Sequence, residues 1–357
     1  MEKRKKLEKE ERMKKHRKYI CILGLGVLLF TGCGKETENP FQMVYTSVEA
    51  MSYEEALVQL GEIETNRGNR QEIARLTGIC YMGLGQYGEA VEALEQALSY
   101  NDGFVKEADY DINLYLAVAY NNLGRYEDAE HVYAAMAQLK PKDAEVQYAH
   151  GVTLLELGQY EESREAFDKA VSLEPADYDR IIDIYKAYYQ FGYGDIGLEY
   201  VEDAMKDQAG MSDYDRGRML YHVGRYNEAV SALEKTDKKS FADASLYLGM
   251  SYEAMGDYNY AASVYNNGME NSTNPALYNQ LGLCQMKRGA YAEALDAFQR
   301  GLECEDTSLQ QQLRFNEAVA YEYLADFETA RELLGAYLKD YPNDTEAQRE
   351  YQFLETR

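Results

Sequence analysis

Tryptophan is absent from the 357 residues, and there are only five prolines, five cysteines and four histidines. Few prolines leave long stretches free to be helical, because proline inside a helix costs about 3 kcal/mol. The cysteines show no disulfide pairing pattern, and the histidines lack the spacing of a metal site. Motifs of hydrolases, phosphate-binding loops and calcium loops are missing too. The sequence therefore predicts a non-enzymatic chain with no cofactor and no metal site.

Positive charge is also scarce. The chain has 37 Lys and Arg against 62 Asp and Glu, which gives a formal net charge of -25. Such an excess repels phosphate groups, so nucleic acid is excluded as a partner of the whole chain. The acidic exterior instead favours a basic protein partner, held by an association that weakens as salt is added.

The amino-terminal segment differs from the rest. Residues 1–18 hold ten Lys and Arg against four Glu, and residues 19–30 are apolar. This apolar run of 12 residues fits a signal peptide and is shorter than the roughly 20 residues of a membrane-spanning helix. The small residues Thr31 and Gly32 then precede Cys33. Together these features resemble the signal peptide and lipobox of bacterial lipoproteins.

That resemblance implies a signal peptide at residues 1–32 and a short tether at 33–39. It further implies that Cys33 is lipidated, with palmitate among its acyl chains, and that the exported chain is anchored at the extracytoplasmic face of the bacterial membrane. The alternative is an uncleaved signal that stays as an anchor. Whether the envelope has one membrane or two is left open.

A short signature, Gly-x-Tyr-x-x-Ala, recurs along the remaining chain with steps of 32 to 39 residues. Six copies begin at Gly85, Gly124, Gly158, Gly224, Gly256 and Gly289, the one at Gly158 ending in Ser163 in place of Ala. Two degenerate copies begin at Gly192 and Ala325, and a partial first copy begins at Met51. A small residue, such as Gly78 or Gly151, lies seven positions earlier. We expect this residue to meet a small residue of a second antiparallel helix, with large side chains filling the space around them.

This pattern resembles the tetratricopeptide repeat family. The resemblance implies an all-α fold, a tandem helix-turn-helix solenoid or superhelix with a C-terminal capping helix. About eight full repeats and a partial first one would cover residues 37–342, and the capping helix would cover 343–357. The prolines agree, because all five lie at predicted junctions between helices.

In that family, residues of the first helix of each repeat line a concave wall. The resemblance therefore implies a Tyr-rich groove for an extended peptide or an amphipathic helix. Its predicted binding residues are Tyr148, Lys186, Tyr189, Tyr214, Arg218 and Tyr221. The alternative is that several of these tyrosines only pack against neighbouring repeats.

These observations predict a non-catalytic protein-protein interaction scaffold, lipid-anchored outside the bacterial membrane, whose partner is a protein or peptide. The alternative is an envelope-assembly or cell-wall-associated factor that handles many client proteins. A solute- or glycan-binding lipoprotein is disfavoured, because one continuous repeat array leaves no second domain to close around a ligand. The partner's identity and the oligomeric state do not follow from the sequence.

Overall fold

The computed structural model describes residues 39–101, 106–206, 210–236, 241–269 and 273–357. Within these ranges the chain forms 19 α-helices and no β-strand. None of the described helices has the length and apolar character needed to cross a bilayer. The predicted signal peptide at 1–32 and the predicted lipidation site, Cys33, lie outside the described residues.

The described residues form two compact units. Unit 1 contains the described residues up to Arg180 together with Ala187–Gly192, and unit 2 contains Ile181–Lys186 and Tyr193–Arg357. The first nine helices are α1 (Gln42–Glu49), α2 (Tyr53–Glu62), α3 (Arg70–Gly83), α4 (Tyr87–Ser99), α5 (Glu107–Asn122), α6 (Tyr126–Leu139), α7 (Ala144–Glu156), α8 (Tyr160–Leu173) and α9 (Tyr178–Gln190).

Ten further helices follow in unit 2. They are α10 (Gly194–Lys206), α11 (Asp213–His222), α12 (Tyr226–Leu233), α13 (Phe241–Ala254), α14 (Tyr258–Met269), α15 (Pro275–Lys287), α16 (Tyr291–Leu302), α17 (Gln310–Tyr323), α18 (Phe327–Asp340) and α19 (Thr345–Leu354).

Helices that follow one another in the chain pack against one another. In unit 1 this holds from α1 to α8, and in unit 2 it holds from α11 to α19. Within a pair such as α3 and α4, or α7 and α8, the connection is a turn of three residues, so the two helices run antiparallel. The predicted fold class, an all-α array of tandem helix pairs closed by a C-terminal helix, is confirmed.

A residue in the left-handed backbone region ends the first helix of each pair. Gly124, between α5 and α6, has φ of 72°, which glycine adopts without steric cost because it has no Cβ. Ala325, between α17 and α18, holds φ of 62° at the equivalent position. The turn geometry is thus kept even where the glycine of the signature is replaced.

The small residues of the first helices have a different role from the predicted one. A Cβ added to Gly78 would lie 2.6 Å from Leu94, and one added to Gly151 would lie 2.6 Å from Phe167. Small residues of the first helices therefore lie chiefly against large side chains of the second helix. At Gly78 the backbone oxygen of the predicted small partner, Ala90, also lies 3.4 Å away, whereas at Gly151 the three nearest atoms all belong to Phe167. The missing side chain of one helix makes room for the ring or branched chain of the next.

The core is built from these large second-helix side chains. In unit 1, Tyr133 and Phe167 are fully buried, as are Tyr265, Phe298 and Tyr337 in unit 2. The last helix, α19, buries Ala347 and Leu354. Its amino end is capped by Asp344, whose side chain accepts hydrogen bonds from two backbone N–H groups.

Candidate protein-binding site

The six predicted groove residues are divided between the two units, and each set is described within its own unit. Tyr148 and Tyr189 belong to unit 1, whereas Lys186, Tyr214, Arg218 and Tyr221 belong to unit 2.

In unit 1, the two predicted tyrosines differ in environment. Tyr148 is half-buried, and its ring lies against Phe167 with ring centroids 5.8 Å apart. Phe167 in turn contacts the ring of Tyr188 at 5.4 Å. Tyr189 keeps 67% of its surface exposed. Tyr148 therefore belongs to the edge of the core, as the packing alternative proposed, whereas Tyr189 offers an aromatic surface to solvent.

In unit 2, two of the predicted tyrosines meet a third one from the next repeat. The ring of Tyr247, on α13, lies 6.2 Å from the ring of Tyr214 and 5.7 Å from the ring of Tyr221, both edge-to-face. His222 and Tyr226 contact Tyr221 at 5.3 and 5.8 Å. We call these five residues the tyrosine cluster. Edge-to-face geometry is favoured because the positive ring edge meets the negative ring face.

Arg218 completes this cluster. Its guanidinium carbon lies 4.8 Å from the Tyr214 ring centroid and 6.0 Å from that of Tyr247, which is within cation-π range. The same guanidinium forms an ion pair with Asp215 at 2.8 Å, and the two side chains are only 11% and 23% exposed. The positive charge is thus balanced inside the cluster, and Arg218 holds the rings in place.

The local sequence explains this arrangement. Tyr214, Arg218 and Tyr221 stand at i, i+4 and i+7 of α11, so they share one helix face. Ser212 caps the start of the helix by accepting a hydrogen bond from the backbone N–H of Asp215. Burial, helped by nearby tyrosines and Glu253, raises the pKa of Tyr221 to about 12. Its hydroxyl group is therefore neutral near pH 7 and can donate or accept a hydrogen bond.

Sequence reasoning missed Tyr247, His222 and Tyr226. Tyr247 lies one repeat after Tyr214, so only the packing of α11, α12 and α13 brings their rings together. An alignment of the repeats could have indicated Tyr247, because it lies two positions before Gly249, the small residue of its repeat.

Lys186, the remaining predicted cation, is half-buried and forms an ion pair with Asp183 at 3.0 Å, one turn earlier on α9. Among the described residues, no group of three or more His, Cys, Asp or Glu side chains is placed to hold a metal ion. The arrangement in unit 2 is therefore an aromatic surface with internally balanced charge.

Comparisons with solved structures give only distant likenesses. A MamA structure from Desulfovibrio magneticus RS-1 is 22% identical and covers 47% of this chain and 92% of its own, with a TM-score of 0.41. The APC/C hetero-tetramer Cut9-Hcn1 is 14% identical and covers 89% of this chain and 76% of its own, also at 0.41. These values carry no argument about function. No curated protein matches the chain.

Family models give a firmer result. Four models, each described as a tetratricopeptide repeat, match residues 81–151, 144–177, 246–307 and 312–344. Together they cover more than half of the chain and both of its units. Stacked repeats of this kind present extended surfaces to protein partners, so the match supports a protein-interaction scaffold. The chain belongs to the tetratricopeptide repeat family.

Proposed function

We propose that the chain is a non-catalytic scaffold that binds an extended peptide or a helix of a partner protein on the tyrosine cluster of unit 2. The observation that carries this proposal is the meeting of Tyr214, Arg218 and Tyr221 with Tyr247 on one partly exposed surface. Tyrosine and arginine are the residues that contribute most to protein recognition.

The geometry suits recognition for an energetic reason. A binding residue loses rotamer freedom when its partner arrives, and this loss reduces affinity. Here the ring of Tyr247 already packs against the rings of Tyr214 and Tyr221. The guanidinium of Arg218 contacts the rings of Tyr214 and Tyr247. The rings therefore offer apolar area and hydroxyl groups with little further ordering.

The charge of the chain suggests the chemistry of the partner. With a net charge of -25, the scaffold attracts basic proteins over a distance set by the ionic strength. We propose a partner with a basic surface, whose association accelerates at low salt.

The cellular location of the scaffold is part of the same proposal. We propose that the chain is exported and held by a lipid on Cys33 at the extracytoplasmic face of a bacterial membrane. In cells fed a labelled fatty acid, the parent is expected to take up label and to sediment with membranes. A Cys33→Ala chain should do neither, and persistence of the label in that variant would contradict lipidation at Cys33.

The binding proposal is tested by crosslinking in cells, followed by capture and quantitative mass spectrometry. The parent is compared with a Tyr214→Ala, Tyr221→Ala double variant and with Tyr323→Ala, which removes an exposed tyrosine of α17. We expect one dominant partner, bound at least about tenfold more weakly by the double variant and normally by the control. Circular dichroism confirms that each variant is folded.

The opposite result is equally informative. Many faint partners that are retained by parent and double variant alike would contradict a dedicated scaffold. Such a result would favour the alternative function, an envelope factor that handles many client proteins.

A further inference from the structure

The repeats can be compared residue by residue, because each turn contains one left-handed residue. We define a turn site by three positions. The ring position lies four residues before the left-handed residue, and the cation position lies one residue after it. The carboxylate position lies ten residues after the left-handed residue of the preceding repeat. At Gly124 these residues are Tyr120, Arg125 and Glu95. At Gly256 they are Tyr252, Asp257 and Glu234.

The turn site of Tyr120, in unit 1, is filled by the chain itself. The Tyr120 hydroxyl donates a hydrogen bond to Glu95 Oε1 at 2.6 Å. The guanidinium of Arg125 lies over the ring, 4.4 Å from its centroid, and is paired with Asp128 at 2.7 Å. Under this cover Tyr120 is only 7% exposed. Arg125 is thus held by the ring of Tyr120 and by its ion pair with Asp128, while Glu95 binds the Tyr120 hydroxyl and adds negative charge nearby.

The turn site of Tyr252, in unit 2, repeats the ring and the Glu carboxylate, has Tyr260 at the position of Asp128, and holds no cation among the described residues. The Tyr252 hydroxyl donates to Glu234 Oε1 at 3.3 Å, as Tyr120 does to Glu95. The position of Arg125 is taken by Asp257, which accepts a hydrogen bond from the backbone N–H of Tyr260 at 3.0 Å and so caps α14. Tyr260 packs its ring on Tyr252 with centroids 4.4 Å apart and stays 49% exposed.

No Lys or Arg of the described residues lies over the ring of Tyr252 or Tyr260, although nine other described tyrosines carry such a cation. The sequence between residues 240 and 286 contains neither Lys nor Arg. The nearest basic residue along the described chain is Lys235, which is exposed and lies two residues after the end of α12. Two aromatic rings beside two carboxylates therefore face solvent together.

We infer that Tyr252, Tyr260 and Glu234 form a binding site for a lysine or arginine side chain of a partner protein. The inference rests on the proposed scaffold function, because a protein partner supplies the cation. It deepens that function by adding a second contact, formed by Glu234 after α12, Tyr252 on α13 and Tyr260 on α14, to the tyrosine cluster of α11 to α13. The occupant is argued from charge: Tyr252 and Glu234 repeat the ring and the carboxylate found beside Arg125, Tyr260 adds a second ring, and no Lys or Arg of the described residues occupies the site.

The probe for this site is a short peptide, Gly-Arg-Gly, that carries a benzophenone for photocrosslinking. It is added to the full chain at low salt, and mass spectrometry measures the crosslinks within residues 241–269. The same peptide with Glu in place of Arg controls for charge. We expect the Arg peptide to label this segment at least about fivefold more than the Glu peptide, since a cation gains about that factor over an exposed ring.

The decisive variant is Asp257→Arg, which gives the open site a cation of its own, as Arg125 does in unit 1. We expect labelling of residues 241–269 to fall about fivefold. The matched control is Asp326→Arg, which makes the same charge change one residue after Ala325. Asp326 caps α18 as Asp257 caps α14, so both variants lose an equivalent cap. The control should label like the parent.

A second variant guards against misfolding. Tyr252→Leu introduces the residue found at the equivalent positions Leu154 and Leu220, both buried in regular helices. It too should reduce labelling about fivefold. Equal labelling of the parent, Asp257→Arg and Tyr252→Leu chains would overturn the inference. Because this readout needs no natural partner, it can fail while the capture experiment succeeds, or the reverse.

Discussion

The turn sites of Tyr120 and Tyr252 use the same positions of the repeat for opposite purposes. In the first, Arg125 covers the ring and the side chain of Tyr120 becomes part of the structure. In the second, Asp257 caps α14. The packed rings of Tyr252 and Tyr260 then stay partly exposed beside Glu234. One residue after the turn therefore decides whether the repeat completes its own cation site or leaves it for another molecule.

A third site shows that the parts vary independently. Arg225, one residue after Gly224, is paired with Glu228 as Arg125 is paired with Asp128. The ring position, however, holds Leu220, which is buried. The cation is thus kept while the ring is lost. Repeats of one chain can diversify in this way without changing their fold, because Tyr and Leu both fill the ring position with a large apolar side chain.

The largest effect expected from this comparison is on stability. Tyr120→Ala should lower the free energy of unfolding by about 3 kcal/mol, since it removes a buried ring and leaves a cavity. Tyr252→Ala should cost about 1 kcal/mol, because its ring is half-buried. Urea titrations followed by circular dichroism measure both. Equal losses would contradict the distinction between a filled and an open site.

A smaller effect isolates the cation over the ring. Arg125→Ala should lower the free energy of unfolding by about 1 kcal/mol, from the lost cation-π contact and the exposed ion pair. Arg225→Ala is the matched change, since it removes a similar ion pair above Leu220. It should cost about half as much, and an equal or larger loss in the same urea titration would show that the Tyr120 ring adds nothing.

Salt should affect the open site moderately. Raising salt from about 0.1 M to 1 M shortens the Debye length from about 10 to 3 Å. Labelling of residues 241–269 by the arginine peptide should then fall about threefold, because Glu234 is exposed while the ring attraction is short-ranged. Labelling that is unchanged by salt would mean that the carboxylate does not take part.

The smallest effect concerns pH. The pKa values of both Tyr120 and Tyr252 are raised to about 12, chiefly by burial, so neither ring changes charge between pH 7 and 5. Burial lowers the pKa of His150 in unit 1, against a smaller opposing effect of Glu130. The folded chain then binds fewer protons than the unfolded one.

Stability due to this histidine is therefore present above its unfolded pKa, near 6.5, and is lost as the pH falls through the folded value. The urea midpoint should decrease from pH 7 to 5, and His150→Gln should make that decrease shallower. An unchanged slope in the variant would assign the acid sensitivity to other groups.

Much of the fold was predictable because the same short signature recurs in successive repeats. The recurring signature marked the turns at Gly124 and its equivalents, and the prolines marked junctions such as Pro275, where α15 begins. It did not predict what faces the small residues. Whether Gly151 meets alanine or Phe167 depends on how two helices are shifted along each other, which spacing within one helix does not report.

The candidate site was predictable only in part. Tyr214, Arg218 and Tyr221 share a helix face, so the spacing alone grouped them. Tyr247 joined them through packing between repeats, and the contact of Tyr148 with Phe167 also lies between helices, so spacing along one helix did not indicate it. The open turn site could have been found by aligning repeats at the turn residue, where Asp257 replaces Arg125.

The comparison of the two turn sites is tested most directly by labelling the parent and the Arg125→Ala chain side by side with the arginine photocrosslinking peptide. The parent is expected to be labelled within residues 241–269 and to give little label around Tyr120. Removing Arg125 should open the equivalent site in unit 1 and add labelling on α5 and α6, with the label on α13 and α14 unchanged. A parent that is labelled equally at both sites, or an Arg125→Ala chain that gains no label near Tyr120, would contradict the account.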